Sequence, residues 1–268
     1  MKATAAIAIN VFRESVRDKV LYNLVFFAIL LIGASYLLGQ LTAGQDVKII
    51  KDLGLSATLL FGVFIAVFIG IGLVSKEVER RSIYSLLAKP IRREQFLLGK
   101  YLGLVLTLLV NVAVMTTALY VVLGVMRLAH PEFLKAAPEA PMLDPALLEA
   151  VALIFGELAI VTAIALFFST FSTPLLSAAL TIGLYIVGHF NTDLKNFEHV
   201  VRSRAAAAIA RGLYYVLPNL APFDVKAAVV HGQPVPAGYL LLTMAYGLVY
   251  IAALLAGASA IFRRRDFK

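Results

Sequence analysis

The sequence predicts an all-α membrane protein whose six transmembrane helices form one domain over residues 1–268. Three observations indicate this fold class: 61% of the residues are hydrophobic, only 15% are charged, and the mean hydropathy is +0.89. Soluble domains are about half apolar and about a quarter charged, so this chain has more apolar surface than a soluble core needs. The chain has no cysteine, which excludes disulfides and thiolate metal sites.

Six apolar runs indicate where the chain crosses the membrane, because a helix needs about 20 residues to span the hydrocarbon layer. Four of the five longer runs carry no charged residue, and the fourth run in chain order carries Glu149 and Glu157. The fifth run is shorter and follows the fourth through a predicted tight turn at 169–174. The predicted spans are residues 20–39, 53–74, 101–126, 147–171, 174–190 and 237–262.

The positions of lysine and arginine predict the orientation of these spans. If the N-terminus is cytoplasmic, the inner segments are roughly twice as rich in basic residues as the outer ones, in agreement with the positive-inside rule. Both termini are therefore expected in the cytoplasm. This topology accounts for the net charge of +8, so nucleic acid is not expected as a partner.

The N-terminal residues 5–19 predict an amphipathic helix. Ile9, Phe12 and Val16 recur at three- and four-residue spacing, while Arg13 and Arg17 occupy the other side. Such a helix is suited to lie on the inner membrane surface. The alternative is a polar extension that merely precedes the first span.

The most charged stretch of the chain, residues 75–100, predicts a short helix in a cytoplasmic loop. Ile83, Leu86 and Leu87 form an apolar stripe, and Pro90 must end or kink the helix that carries them. A helix of this kind either lies on lipid or fills a groove on a soluble partner. The spacing alone does not separate these two uses.

Two outer segments complete the predicted plan. Residues 127–146 are rich in proline and polar residues and predict a loop. Residues 191–236 predict an outer helical segment between spans five and six, which ends before Pro218.

The sequence lacks the motifs that most enzymatic functions need. It contains no G-x-x-x-x-G-K-[ST] loop for nucleotide phosphates, no H-E-x-x-H and no G-x-S-x-G. We therefore predict no catalytic residue, no metal site and no enzymatic activity in this chain.

Two polar residues at central positions of the predicted spans are candidates for function, Asn111 near the middle of span three and Glu157 about halfway along span four. An ionisable residue at the bilayer centre costs about 2.5–3.5 kcal/mol, so it should face protein or water. Glu157 either lines a pathway or relays protons, or it is a protonated side chain that is hydrogen-bonded to a neighbouring helix.

Residues 75–103 resemble the membrane subunits of ATP-binding-cassette exporters of the second permease class, which are six-span half-transporters. The resemblance rests on a glutamate-rich start, a short coupling helix, a proline, an arginine and Gly-Lys. The matching residues are Glu77, Ser82, Leu86, Leu87, Pro90, Arg93, Gly99 and Lys100. Arg81 and Ser82 stand where that family usually has Gly-Thr, so the start of the coupling helix is displaced from the family pattern.

This resemblance implies a permease dimer, here a homodimer, joined to two separate ATPase subunits in a prokaryotic inner membrane. The ATPase subunits would bind ATP and Mg, and this chain would bind no cofactor. An extracytoplasmic protein is a further candidate partner for the outer segment. The implied ATPase-contact residues are Glu77, Arg80, Arg81, Ser82, Ile83, Leu86, Leu87, Pro90 and Arg93.

Two other functions are compatible with the same spans. An ATP-independent secondary transporter or channel would need several intramembrane charges or broken helices, and Glu157 is the clearest such charge. A regulatory or anchoring subunit would hold an extracytoplasmic partner without moving a substrate.

Overall fold

The computed structural model describes residues 2–41, 46–79, 92–129, 144–190, 212, 214 and 216–264. Regular structure in these ranges is helical, without strands, which confirms the all-α class. In chain order the helices are α1 (Lys2–Val16), α2 (Lys19–Gln40), α3 (Asp46–Glu79), α4 (Arg93–Ala129), α5 (Ala146–Ser169), α6 (Pro174–His189), α7 (Lys226–Val230) and α8 (Ala237–Arg264), with a 3-10 turn at Ala221–Phe223.

Five of the described helices are long and apolar enough to cross a membrane: α2, α3, α4, α5 and α8. The sixth apolar helix, α6, has 16 residues and rises about 24 Å, which is less than the roughly 30 Å of the hydrocarbon layer. The protein is therefore a multi-pass membrane protein. The full six-span arrangement stays a prediction.

Charged residues explain why the helix ends differ from the predicted spans. The prediction counted uncharged runs and placed spans two and three at 53–74 and 101–126. Instead, α3 begins at Asp46 and ends at Glu79, while α4 begins at Arg93. Helical hydrogen bonding does not stop at a charged residue, so the predicted loop 75–100 is helical at both ends. Its centre, 80–91, lies outside the described residues.

Helix α5 is the centre of the bundle. From Leu153 to Leu166 every residue except Phe155 is buried, because α3, α4, α6 and α8 all pack around it. Close packing against α3 depends on Gly62, where a Cβ would lie 2.4 Å from Cδ1 of Leu158. Helices α2 and α8 lie at the periphery and expose much of their apolar surface.

The two ends of the bundle differ in what they hold. We call the end at which α3 ends and α4 begins the coupling end, and the opposite end the distal end. At the coupling end, the Phe96 ring of α4 stacks on Phe262 of α8 at 6.3 Å. At the distal end, Tyr120 of α4 donates a hydrogen bond to the carbonyl of Asp144, just before α5.

A stretch with only short helical pieces enters the distal half of the bundle between α6 and α8. It comprises residues 216–230, which we call the re-entrant segment, and includes the 3-10 turn and α7. Leu220, Phe223 and Val229 on this segment are fully buried. The Leu220 amide donates to the carbonyl of Gly188, at the end of α6. The segment thus covers the end of the short helix α6.

Candidate functional site

The predicted ATPase-contact residues lie at or beyond two helix ends. Glu77 lies in the last turn of α3, and Arg93 is the first residue of α4. The others lie outside the described residues: Arg80, Arg81, Ser82, Ile83, Leu86, Leu87 and Pro90. The contact between these residues and an ATPase stays a prediction, which the positions of the two helix ends support.

Helix α1 packs along the coupling-end half of α4. A Cβ at Gly99 would lie 2.8 Å from Cβ of Ile7, and a Cβ at Gly103 would lie 2.6 Å from the carbonyl oxygen of Ala8. Such distances do not occur between real Cβ atoms and these groups, so the two glycines allow a backbone approach that larger residues would prevent. Gly99, the glycine of the Gly-Lys pair in the family resemblance, therefore allows α1 to pack closely against α4.

The predicted apolar face of α1 is not the face that holds it on α4. Ile9 is 48% exposed, Phe12 and Val16 are half-buried, and Arg13 and Arg17 are exposed. The packed face instead carries Ile7, Ala8 and Val11, and sequence analysis missed it because the two α4 glycines that it contacts have no side chain to indicate a partner. Because the Ile9 side chain is exposed, it is free to contact lipid or a partner, and this contact stays a prediction.

Lys100, the lysine of the same Gly-Lys pair, is buried in the bundle near the coupling end, and 1% of its surface is exposed. Its Nζ lies 4.8 Å from the centroid of the Phe96 ring, within the range of a cation–π interaction. Because Phe96 also stacks on Phe262, this lysine connects the start of α4 to the end of α8.

The two intramembrane polar residues have different surroundings. Asn111 is almost buried, and its amide Nδ2 donates to the carbonyl of Thr107 on the same helix, at 2.6 Å. Glu157 is fully buried, about 16 Å from the first residue of α5. Among the described residues, no donor reaches either carboxylate oxygen with full hydrogen-bond geometry. Glu157 is thus the more costly of the two to bury.

The nearest described partner of Glu157 is His189, the last residue of α6. Its Nε2 lies 3.2 Å from Oε1 of Glu157, and 24% of the imidazole side chain is exposed. Nδ1 of the same ring lies 3.1 Å from the carbonyl oxygen of Tyr185, and the Tyr185 ring packs edge-on against the imidazole at 4.8 Å. The buried acid therefore faces a base on a neighbouring helix.

The fifth predicted span ends at residue 190, which would put His189 at the outer surface and not beside Glu157. The length of the fifth apolar run could have indicated that His189 lies within the bundle, because the run is too short to carry its last residue across the hydrocarbon layer. Within the described ranges no third His, Asp or Glu joins the pair to form a metal-binding group. The pair is therefore an acid–base contact.

Three tyrosines of α8 hold the re-entrant segment. Tyr239 donates its hydroxyl to the carbonyl of Pro222 at 2.6 Å, and Tyr250 donates to Val216 at 3.1 Å. The hydroxyl of Tyr246 instead accepts the amide of Asn219 at 2.8 Å. Non-helical backbone at membrane depth must find partners in the protein, because lipid offers none. The tyrosines supply such partners on the α8 side.

Glycines on two helices make room for the same segment. A Cβ at Gly188 would lie 2.9 Å from Leu220, and a Cβ at Gly156 would lie 3.1 Å from the Phe223 ring. Gly156 directly precedes Glu157 in α5, and Gly188 directly precedes His189 in α6. The re-entrant segment therefore packs beside the backbone that carries the acid–base pair.

A second buried charge pair lies at the distal end. Nζ of Lys51, in α3, lies 3.7 Å from Oδ2 of Asp144, and the lysine side chain is fully buried. Sequence analysis placed Lys51 outside the spans because a lysine ends an apolar run. The carboxylate also accepts the amide of Ala146 at 2.9 Å and so caps the start of α5.

Comparison with known proteins covers almost the whole chain. The family model described as ABC-2 family transporter protein matches residues 5–267. Comparison with curated proteins gives no match. The matched range includes α1, the 80–91 centre of the predicted coupling loop, the Glu157–His189 pair and the re-entrant segment.

Proposed function

Since this chain belongs to the ABC-2 family of transporter proteins, we propose that it is the permease subunit of an ATP-driven exporter. In this proposal two copies form a homodimer in a prokaryotic inner membrane, with both termini in the cytoplasm. Two separate ATPase subunits bind ATP and Mg and drive substrate movement through the permease. The family match over residues 5–267 is the observation that carries the proposal.

Two features of the chain support a separate ATPase. The sequence has no phosphate-binding loop of the G-x-x-x-x-G-K-[ST] type. The apolar stripe of Ile83, Leu86 and Leu87 follows α3 directly, so a groove on a soluble ATPase is a suitable partner for it. Movement of that stripe would reach α3 and α4 through their helix ends, and α5 through its packing against both.

One observation favours a gradient-driven secondary transporter as a second candidate function. The Glu157–His189 pair is a buried acid–base contact of the kind that proton-coupled carriers use. One experiment separates the two proposals. The chain is purified from its native membrane under mild conditions, and co-purifying protein is tested for ATP hydrolysis before and after reconstitution into liposomes.

The exporter proposal predicts that an ATPase subunit co-purifies in a stoichiometric amount. It also predicts that the rate of ATP hydrolysis changes when the complex is reconstituted into liposomes. Recovery of the chain without an ATPase, together with proton-coupled uptake in liposomes, would overturn the exporter proposal and establish the second candidate. Recovery without an ATPase and without uptake would favour the anchoring subunit.

A further inference from the structure

We propose that Glu157 and His189 form a one-proton site that locks the re-entrant segment against α6, and that loss of this proton releases the segment. This inference does not rest on the proposed transport function, because it concerns a conformational equilibrium of the chain itself. It is argued from the two contacts of the imidazole, the burial of the carboxyl group and the packing of Leu220.

The contacts of the imidazole fix how many protons the pair holds. Nδ1 of His189 faces the carbonyl oxygen of Tyr185, which can only accept, so Nδ1 carries a proton. Nε2 faces Oε1 of Glu157 at 3.2 Å. Two bare lone pairs at this distance would repel, so the pair holds one further proton, either on the carboxyl group or on Nε2. Either position leaves the pair with no net charge.

Loss of the shared proton leaves one net negative charge on a fully buried carboxylate. A buried charge without a compensating partner is strongly unfavourable, and entry of water is the simplest relief. The re-entrant segment is the element that water must displace, because Leu220 packs on Gly188 and Phe223 packs on Gly156, each next to one member of the pair. The released state hydrates the carboxylate.

The other groups that face the pair do not supply the missing charge. Asp224 and Lys226 on the re-entrant segment act on Glu157 electrostatically, but they form an ion pair with each other at 3.6 Å and nearly cancel. The phenol of Tyr185 lies beside the imidazole on α6. The remaining groups are on other helices: Tyr101 of α4 donates to Ala159, Tyr246 of α8 is bonded to Asn219, and Lys51 of α3 is paired with Asp144.

The absence of cysteine from the sequence makes the segment's position directly measurable. A cysteine at Leu220, which is fully buried, reports release of the segment, and a cysteine at the exposed Ala227 of the same segment is the matched control. Membranes that contain either variant of the full-length chain are treated with a membrane-impermeant maleimide, without ATP, from about pH 5 to about pH 9. Both thiols react with the maleimide faster as the pH rises. Division of the labelling rate at Leu220 by the rate at Ala227 therefore cancels this dependence.

We expect this ratio to rise with pH by up to about tenfold per pH unit, because release is linked to one proton. With Glu157→Gln the ratio stays low and flat, since glutamine cannot lose a proton and can donate to Nε2. With His189→Gln the rise begins at lower pH, because the carboxyl group alone holds the proton and the glutamine amide stabilises the carboxylate.

A ratio that does not change with pH in the parent chain would overturn the proposal whatever the variants do. A rise in Glu157→Gln that matches the parent would overturn it as well. If Glu157→Gln does not fold, His189→Gln decides, and an unshifted profile in that variant contradicts the one-proton site. Because no ATPase is needed, these outcomes are independent of whether the chain is an exporter permease.

Discussion

Nζ of Lys51 lies 3.7 Å from Oδ2 of Asp144, and this contact joins the start of α3 to the start of α5 at the distal end of the bundle. The lysine side chain is fully buried, while the aspartate side chain keeps 12% of its surface exposed. Removal of one member of a buried ion pair destabilises the fold by more than the intact pair stabilises it, because the remaining charge stays buried.

Asp144→Asn tests this relationship, since asparagine retains the oxygen that caps α5 at Ala146 but removes the charge. We expect a loss of about 3 kcal/mol in the free energy of unfolding, measured as a lower thermal midpoint of the full chain in detergent. Asp52→Asn is the matched control, because Asp52 is exposed one residue after Lys51. Equal midpoints for the two variants would mean that the pair does not stabilise the bundle.

Gly103→Ala should loosen α1 from α4, because the added Cβ would lie 2.6 Å from the carbonyl oxygen of Ala8. Overpacking of this kind costs about 1–3 kcal/mol. The measurement is maleimide labelling of a cysteine at Val11, which is 4% exposed in the parent. Gly124→Ala is the control on the same helix, because a Cβ there meets nothing within 4 Å. The packing of α1 would be refuted by similar labelling in both variants.

Leu86→Asp or Leu87→Asp should release the ATPase or uncouple its hydrolysis from the permease. These two residues and Ile83 are the apolar side chains of the predicted contact, and interface energy concentrates in a few buried anchors. Co-purification of the ATPase measures assembly, and the dependence of transport on ATP hydrolysis in liposomes measures coupling. Leu86→Met and Leu87→Met, which preserve apolar volume, should behave as the parent. Unchanged assembly together with unchanged coupling in both aspartate variants would exclude this interface.

Apolar runs were sufficient to predict the fold class and the long spans, because a run of about 20 apolar residues indicates a membrane-spanning helix whatever its neighbours are. The resemblance to the family came from residues 75–103. The sequence was insufficient where a charged residue is paired. Lys51 lies outside the predicted span 53–74, yet its side chain is fully buried in α3, because Asp144 compensates its charge. His189 was placed near the surface because the span that carries it was assumed to cross the whole membrane, whereas α6 ends beside Glu157. Such pairings depend on helix neighbours that are distant in sequence.

The packing of α1 against α4 was missed for a different reason. Helical periodicity identifies faces by apolar side chains, and Gly99 and Gly103 have none. Their effect appears only when the neighbouring helix is known, because each removes a Cβ that the α1 backbone would otherwise contact.

Tyr246→Phe should destabilise the re-entrant segment more than Tyr239→Phe. The Tyr246 hydroxyl accepts the amide of Asn219, so its removal leaves a backbone N–H without its partner about 14 Å along α8. An orphaned donor costs about 1–3 kcal/mol where water is scarce. Tyr239 lies near the start of α8, where water can replace it at the carbonyl of Pro222. Labelling of a cysteine at Leu220 measures the difference, and the opposite order of the two variants would contradict this account.

Glu157→Gln should leave assembly, thermal stability and transport close to those of the parent at neutral pH. Glutamine preserves the shape of the side chain and can donate to Nε2 of His189, which is the role that a carboxyl proton fills in the parent. Glu157→Ala should fail where glutamine succeeds, because it leaves the imidazole without its partner and opens a void at a fully buried position of α5. A catalytic or pathway carboxylate would behave differently, since ionisation would then be part of its function. If the glutamine complex is folded and assembled but has lost transport, Glu157 acts in the transport cycle itself, and the substrate route must be sought along α5.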